Sequence, residues 1–254
     1  GGWLVQEGYM WNTSGFYGST SVIQQKIIEL VGDSTASQFY NDYYLAYITE
    51  TDVIQLSDWG FNCLRVPFHY KFFSPDTGVF VEDGFNILDP LLEWCSNNQI
   101  YIILDMHCAP GGQNRNDFSD GDGNEAGLWA HEYNRDWTVA IWQYIANHYA
   151  ESEWIGGYDL INEPVLEGNF TSGDLRQFYI DIADAIRTVD QNHILFIEGN
   201  WYGNDFTSLT PPFDDNMAYS FHHYVGPSDQ TSWVNQYVDM SQDYNVPLWV
   251  GEIG

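Results

Sequence analysis

Short apolar runs alternate with longer helical patterns along the chain, and this alternation limits the possible folds more than any other feature of the sequence. Seven apolar runs are typical of strands, and they end at Gln6, His69, His107, Glu163, Gly199, Tyr224 and Glu252. The clearest helical patterns lie between them, at 52–59, 85–97, 136–149, 175–189 and 232–243. Strands that alternate with helices favour a parallel sheet, because each helix carries the chain back to the start of the next strand.

The runs at 101–104 and 194–197 are apolar without alternation, which indicates that both faces of the sheet are buried. Helices over one face and a packed interior on the other predict a (β/α)8 TIM barrel. The alternative is a doubly wound open sheet, but no Gly-x-Gly-x-x-Gly follows the first strand to support a nucleotide site. Since a closed barrel needs eight strands, we expect residues 1–254 to form one domain, truncated at both ends, that covers strands 1 to 7 and lacks the last strand and helix.

Acidic residues dominate the charge of the chain. Its 36 Asp and Glu against 7 Lys and Arg give a formal net charge of -29, so we expect no nucleic acid and no membrane among its partners. Aromatic residues make up 17% of the sequence, and flat rings are suited to stacking on sugars. The three cysteines allow at most one disulfide. No run of 18 apolar residues occurs and no leader precedes Gly1, so we expect neither a transmembrane span nor a signal peptide.

Two glutamates, Glu163 and Glu252, each close an apolar run that reads as a buried strand, at 158–164 and 247–252. The carboxyl ends of parallel strands lie at one rim of the sheet, so we expect these two side chains to meet there. Two facing carboxylates are the minimal equipment for cleaving a glycosidic bond, because one can donate a proton while the other attacks the sugar. The sequence therefore predicts a glycosidase site at this rim.

One long insertion, at 108–131, is rich in Gly, Asn and Asp and follows the third predicted strand, so we interpret it as a substrate-side loop. Calcium in the 117–125 segment is an alternative reading of its oxygen-bearing residues, although the glycine that an EF-hand needs at its sixth position is missing. The default is a solvated loop without a cofactor. The residues concerned are Asp117, Asp120, Asp122, Asn124 and Glu125.

Five short motifs occur at successive predicted strand ends, in the order that glycoside hydrolase family 5 uses, and the chain resembles that family over its whole length. The stretch at 104–114 looks like its cellulase and exo-glucanase branches. The motifs are Arg65-Val66-Pro67, Asp105-Met106-His107, Asn162-Glu163-Pro164, His222-His223-Tyr224 and Trp249-Val250-Gly251-Glu252.

The resemblance implies a retaining β-glycosidase in which Glu163 is the general acid and base and Glu252 is the nucleophile. It also implies that Arg65 keeps Glu252 ionised, that Asn162 binds the sugar 2-hydroxyl and that Tyr224 donates to Glu252. Further family positions match His107 and His222, whereas only one of His222 and His223 can point into the barrel. Candidates for stacking on sugar are Trp3, Trp129, Trp201, Tyr202 and Trp233, of which Trp201 is best placed.

The resemblance implies a secreted, monomeric and metal-independent β-glucan hydrolase, in first place an endo-β-1,4-glucanase. The same family includes β-1,3- or mixed-linkage glucanases, exo-glucanases and β-mannanases, and composition cannot choose among them. Two rivals come from other classes: a non-catalytic carbohydrate-binding barrel, and a metal-dependent barrel hydrolase. The second would use rim ligands drawn from Asp105, His107, Glu163, His222 and His223.

Overall fold

The computed structural model describes residues 2–11, 18–224 and 231–254, and their centre is a parallel sheet of six strands paired in sequence order, β1-β2-β3-β4-β5-β6. Each strand pairs only with its neighbours along the chain, as the alternation of strands and helices predicts. The strands are β1 (Cys63–His69), β2 (Tyr101–Cys108), β3 (Ile155–Asp159), β4 (Ile194–Glu198), β5 (Met217–His223) and β6 (Leu248–Ile253).

Helices fill the connections between the strands. The five helical patterns of the sequence are confirmed within a few residues by α3, α4, α6, α7 and α9, while α1 and α2 lie in a region for which the sequence predicted no helix. The helices are α1 (Thr20–Val31), α2 (Asp33–Tyr47), α3 (Glu50–Asp58), α4 (Asp83–Asn97), α5 (Gly127–Ala130), α6 (Glu132–Tyr149), α7 (Ser172–Arg187), α8 (Asn200–Gly203) and α9 (Thr231–Tyr244).

The prediction of seven strands is corrected at two places. The first predicted strand is reduced to one residue, Leu4, which forms an isolated parallel bridge with Phe68 of β1. The strand predicted to end at Glu163 stops at Asp159, because the chain bends at 161–163 and Glu163 has a left-handed backbone with φ 47°. The remaining predicted strand ends agree with the structure within one residue.

Side chains alternate between two faces along each strand, and the outer face carries the main core. Ile102 and Leu104 of β2 and Leu195 of β4 belong to the large cluster packed between the sheet and its helices. The next residues along the same strands, Ile103 and Phe196, point the other way into a small interior cluster that includes Ala218 of β5. The sheet is thus covered by helices outside and filled with side chains inside, which confirms the architecture of an incomplete barrel.

Polar residues follow the apolar ones along the inner face. Two positions beyond Ile103 and Phe196 stand Asp105 and Glu198, both fully buried. The period of two thus predicts an ionisable layer directly above the apolar one, at the carboxyl end of the sheet. Within the described ranges, no helix combines the length and the apolar character needed to cross a membrane. The three cysteines, Cys63, Cys95 and Cys108, are all free thiols.

Candidate active site

The two glutamates predicted from the strand ends face each other at the rim. One carboxylate oxygen of Glu163 and one of Glu252 lie within 4.8 Å of each other, together with a ring nitrogen of His222. Glu163 reaches the rim from the bend after β3, and Glu252 from within β6, where it pairs in register with His222 of β5. A retaining glycosidase needs carboxyl groups about 5 to 5.5 Å apart, so the spacing suits a double displacement.

Glu252 is held as a carboxylate by donors on both of its oxygens. Arg65 Nη1 donates to Oε1 at 2.8 Å, and the Tyr224 hydroxyl donates to Oε2 at 2.6 Å. Burial alone would raise the pKa of Glu252, but the electrostatic effect of His222, Arg65 and His107 and the bond from Tyr224 outweigh it and lower the pKa to about 2. Glu252 is therefore ionised at neutral pH.

Arg65 of β1 connects the acidic groups of the inner face. Its guanidinium donates to Asp159 Oδ2 at 2.8 Å and lies 3.1 Å from Asp105 Oδ2, 3.0 Å from Glu198 Oε1 and 2.8 Å from Glu252 Oε1. Burial works against the charge of Arg65, but these carboxylates raise its pKa well above the ordinary value. One permanent cation thus offsets part of a concentrated negative charge.

Asn162, adjacent to Glu163, is fixed through its amide oxygen. Arg65 Nη2 donates to Asn162 Oδ1 at 2.8 Å. The other end of the amide, Nδ2, is buried and has no hydrogen-bond partner among the described residues. A buried donor without a partner suits a ligand hydroxyl, because leaving it unpaired is costly.

His222 lies between two glutamates. Its Nδ1 is 2.7 Å from Glu163 Oε1, and its Nε2 is 3.0 Å from Glu198 Oε1. Burial lowers the pKa of His222, but the charge of Glu198, the bond to Glu163 and the charge of Glu252 outweigh it and raise the pKa to about 11. The neighbouring His223 points outward and stacks on Trp233 at 4.5 Å, so of the two histidines only His222 joins the site.

The backbone around Glu163 is fixed by buried polar side chains. Its N–H donates to Glu198 Oε2 at 2.7 Å, and its carbonyl accepts from Asn114 Nδ2 at 2.9 Å. Gln113 Nε2 donates to the carbonyl of Asn162 at 2.8 Å. The insertion after β2 therefore holds the 162–163 segment in place, in addition to lying on the rim. His107, at the end of β2, is oriented by Asp105, whose Oδ2 lies 2.8 Å from its Nδ1.

The five aromatic stacking candidates divide by exposure. Trp201 is 63% exposed and stands on the rim just after β4, where the backbone at φ 56° is left-handed. Tyr202 accepts a bond from Asn116 at 3.1 Å. The others are packed: Trp3 and Trp129 are buried, with their indole N–H groups bonded to main-chain carbonyls, and Trp233 packs on Phe221. Only Trp201 thus offers an open ring face, among these five residues.

The same group of side chains is the candidate for holding a metal ion. Glu163, His222 and Glu252 form the one set of three or more ligand-type side chains that converge in the described parts of the chain. His222 already lies between two glutamates, with Nδ1 2.7 Å from Glu163 Oε1 and Nε2 3.0 Å from Glu198 Oε1, and a site without a metal stays a prediction. In the insertion, Asp120 instead accepts bonds from Ser21 and approaches His69 at 3.0 Å. The calcium reading of that loop stays a prediction.

Sequence reasoning missed three residues that organise the site: Glu198, Asp159 and Gln113. Glu198 carried the same signal as Glu163 and Glu252, an acidic residue that closes an apolar strand, but the strand was taken to end at Gly199. Asp159 is the last residue of β3, two positions before the bend, and it is fully buried beside Arg65. Gln113 had no sequence signal of its own, because its role depends on how the loop folds back over Asn162.

A family comparison covers most of the chain. The model of the family described as Cellulase (glycosyl hydrolase family 5) matches residues 22–254. A β-xylosidase from Phanerodontia chrysosporium is 32% identical over 228 residues, which are 88% of this chain and 47% of the relative. Endoglucanase C from Acetivibrio thermocellus is 30% identical over 190 residues, 73% of this chain and 53% of the relative. The chain spans about half the length of these curated relatives.

A solved structure agrees on the fold. The endoglucanase Cel5A of Pseudomonas stutzeri superposes with a TM-score of 0.66 at 20% identity, over 81% of this chain and 67% of that one. At this identity the likeness concerns the path of the backbone. It places the curled sheet and its helices in the same architecture as that enzyme.

Proposed function

The chain belongs to glycosyl hydrolase family 5, and from that membership we propose that it is a retaining β-glycoside hydrolase in which Glu163 is the acid and base and Glu252 the nucleophile. The observation that carries the proposal is the distance between their carboxylates, within 4.8 Å. This close approach suits the short carboxyl separation of a retaining enzyme better than the wider one in which an inverting enzyme places a water.

In the first half of the reaction, a Glu252 oxygen attacks the anomeric carbon and the bond from that carbon to the leaving oxygen breaks. The leaving oxygen takes the proton of Glu163, so an alcohol departs and a glycosyl ester remains on Glu252. Arg65 and Tyr224 support this step by keeping the attacking carboxylate ionised and fixed in direction. The unpaired Asn162 Nδ2 is available to the sugar 2-hydroxyl, a contact that strengthens as the cation develops.

In the second half, water attacks the anomeric carbon and the ester bond to Glu252 breaks. Glu163, now a carboxylate, takes a proton from the water, and Glu252 leaves with its negative charge restored. His222 lies against Glu163 at 2.7 Å throughout, so its positive charge stabilises the carboxylate form that this step requires. Two inversions at one carbon give overall retention of configuration.

We further infer that the substrate is a β-glucan, with the endo-β-1,4 linkage as the first choice. Support for this choice comes from the relative named Endoglucanase C. The relative named β-xylosidase covers more of the chain and supports an enzyme that removes single sugars. Trp201, exposed on the rim, is the proposed stacking platform, and His107 the proposed contact to a sugar hydroxyl. We also propose a secreted monomer that needs no metal.

The test is a substrate panel of carboxymethylcellulose, barley β-glucan, laminarin, mannan and 4-nitrophenyl β-xyloside, with products resolved by size and the anomer identified by NMR. We expect rapid shortening of carboxymethylcellulose, release of the β-anomer and full activity in EDTA. Glu163→Gln and Glu252→Gln should each lower kcat at least 1,000-fold, since neither amide can supply the proton or the ester.

Several results would contradict parts of this proposal. Release of the α-anomer would exclude retention, and loss of activity in EDTA that zinc or calcium restores would exclude a metal-independent reaction. Release of xylose or glucose alone, without shortening of carboxymethylcellulose, would replace endo by exo action. A wild-type protein that binds these sugars without cleaving any of them would be a non-catalytic barrel.

A further inference from the structure

Glu198 is a fully buried carboxylate that contacts three separate parts of the site. Its Oε2 accepts the backbone N–H of Glu163 at 2.7 Å, and its Oε1 lies 3.0 Å from both His222 Nε2 and Arg65 Nη2. We propose that Glu198 is a positioning residue, which holds Glu163 and His222 in the geometry that proton transfer to the leaving group requires. This proposal rests on the proposed function, because it assigns Glu163 the role of acid.

The backbone contact is the first argument. Glu163 has φ 47°, a conformation that residues other than glycine seldom adopt without support from their surroundings. The N–H of Glu163 points to Glu198, and no main-chain acceptor takes that bond. The bend brings Glu163 to the rim four residues after β3 has ended, so the acid has no strand to hold it in place. Glu198, at the end of β4, supplies that attachment from a rigid element.

The side-chain contacts are the second argument. His222 is approached by Glu163, Glu198 and, at 3.8 Å, Glu252, and the guanidinium of Arg65 is bonded to the last two. Glu163 and Glu252 must each change charge during the reaction. Glu198 is fully buried. Of the three glutamates around His222, it is the one that takes no part in the proposed bond changes and proton transfers. It therefore keeps the imidazolium in place while the other two charges alternate.

Asp159 provides a matched comparison within the same layer. It is also fully buried and also bonded to Arg65, at 2.8 Å, but it is not among the groups that contact Glu163 or His222. Burial and the negative charge of Glu198 raise the pKa of Asp159 well above its ordinary value, while Arg65 acts in the opposite direction. Asp159→Asn shows what the loss of an Arg65-bonded carboxyl group from this layer does by itself, and Glu198→Gln adds the change at Glu163 and His222.

The first experiment needs no substrate. The ring of His222 is followed by NMR in protein with 15N-labelled histidine, and His222→Gln identifies its signals. We expect the wild-type ring and the Asp159→Asn ring to stay protonated at pH 9. In Glu198→Gln the ring should lose its proton at least one pH unit below wild type, because the charge that favours the imidazolium is gone. An unchanged titration in Glu198→Gln would overturn the proposal.

The second experiment uses aryl β-cellobiosides with a poor leaving group, phenolate, and a good one, 2,4-dinitrophenolate. Glu198→Ala should lower kcat/KM at least 30-fold for the phenyl glycoside and less than threefold for the dinitrophenyl glycoside, which departs without a proton. Glu198→Gln should recover part of the loss, since its amide oxygen can still accept the N–H of Glu163. If Glu198 had a merely structural role, its loss would lower kcat/KM equally for both substrates, and that result would overturn the proposal.

The outcomes separate the two proposals. If the wild-type protein cleaves no glycoside while the ring of His222 responds to Glu198→Gln as expected, the proposed function fails and Glu198 still holds the histidine. If the wild-type protein is active while neither the titration nor the leaving-group dependence changes, the proposed function stands and the role of Glu198 is refuted. Should Glu198→Ala not fold, the isosteric Glu198→Gln decides both measurements.

Discussion

At the scale of single residues, Arg65 and Tyr224 determine the charge on Glu252. Arg65 stays cationic at every relevant pH, while Tyr224 contributes an uncharged donor to the other oxygen. Tyr224 is itself 66% exposed, so its hydroxyl reaches the carboxylate from the solvent side of the rim. The two donors are therefore unequal, and the exposed one can be removed without opening the buried layer below.

We expect Tyr224→Phe to lower kcat roughly 10- to 150-fold, the equivalent of one hydrogen bond to a charged group at about 1.5–3 kcal/mol. The acid limb of the pH profile should also move to higher pH. Activity requires ionised Glu252 and is lost as the pH falls through its pKa, and without the Tyr224 bond that pKa rises from about 2. The measurement is kcat/KM against pH.

The control for this variant is Tyr149→Phe, which deletes the bond from a tyrosine hydroxyl to Asp89 on the helical side of the sheet. It should leave the pH profile unchanged. An acid limb that stays in place in Tyr224→Phe would mean that the tyrosine does not act through Glu252.

Individual site residues were predictable where one strand position fixes one direction. The strand ends predicted Glu252 and His222 at the rim, and the period of two allowed only one of His222 and His223 to point inward. In the structure His222 contacts Glu163, while His223 stacks on Trp233. Glu198 follows the same rule, but the sequence predicts the strand end at Gly199, one residue after the end that the structure shows. Hydrogen bonds of loop residues such as Gln113 could not be predicted, because they depend on the folded path of the insertion.

At the scale of elements, helix α7 was predictable from local sequence signals and helix α2 was not. Helix α7 begins with a capping box at Thr171 and Asp174 and buries one face. Helix α2 buries only Ala36, and its sequence is rich in Ser, Thr, Asn and Asp, which favour turns and caps over helix interiors. Its position in the fold comes from tertiary contacts, such as the indole bond from Trp3 to Tyr44, that no local pattern shows.

The segment between α7 and β4 carries a buried ion pair that should make stability depend on pH. Asp190 Oδ2 lies 2.5 Å from His193 Nδ1 and accepts the Tyr158 hydroxyl at 2.7 Å. Burial opposes both charges, but these bonds lower the pKa of Asp190 to about 2 and raise the pKa of His193. The stabilisation is therefore complete between about pH 4 and 6.5, and it is lost as the pH rises through the raised pKa of His193.

We expect Asp190→Asn to lower the free energy of unfolding by about 2–4 kcal/mol at pH 5.5, and by less at pH 9, because His193 loses its charge as the pH rises through its raised pKa. Urea unfolding at both pH values measures this difference. The control is Asp214→Asn, which breaks a bond to Arg187 at 2.8 Å. Asp214→Asn should lower the free energy of unfolding by the same amount at pH 5.5 and pH 9, because the pKa of Asp214 is lowered and lies below both values. Equal losses for Asp190→Asn would refute the ion pair.

At the scale of the whole molecule, the net charge of -29 sets the response to salt. Acidic side chains repel one another more strongly in the compact state than in the extended chain, so the excess charge destabilises the fold. The carboxylates of Asp105, Asp159 and Glu198 around Arg65 are buried, so added salt screens their interactions little. Added ions therefore act mainly on the charges at the surface. The charge of the site therefore serves chemistry, whereas the charge of the surface affects the stability of the fold.

Raising sodium chloride from about 0.01 M to 0.1 M at pH 7 shortens the Debye length from about 30 Å to about 10 Å. We expect the melting temperature to rise by at least about 2 °C over this interval, with little further gain per increment beyond it, because the surface repulsion is then mostly screened. Sodium thiocyanate at equal ionic strength is the control: screening predicts the same rise below 0.1 M, whereas a specific-ion effect predicts a fall. A melting temperature that declines in both salts would mean that attractive surface pairs outweigh the repulsion of the acidic excess.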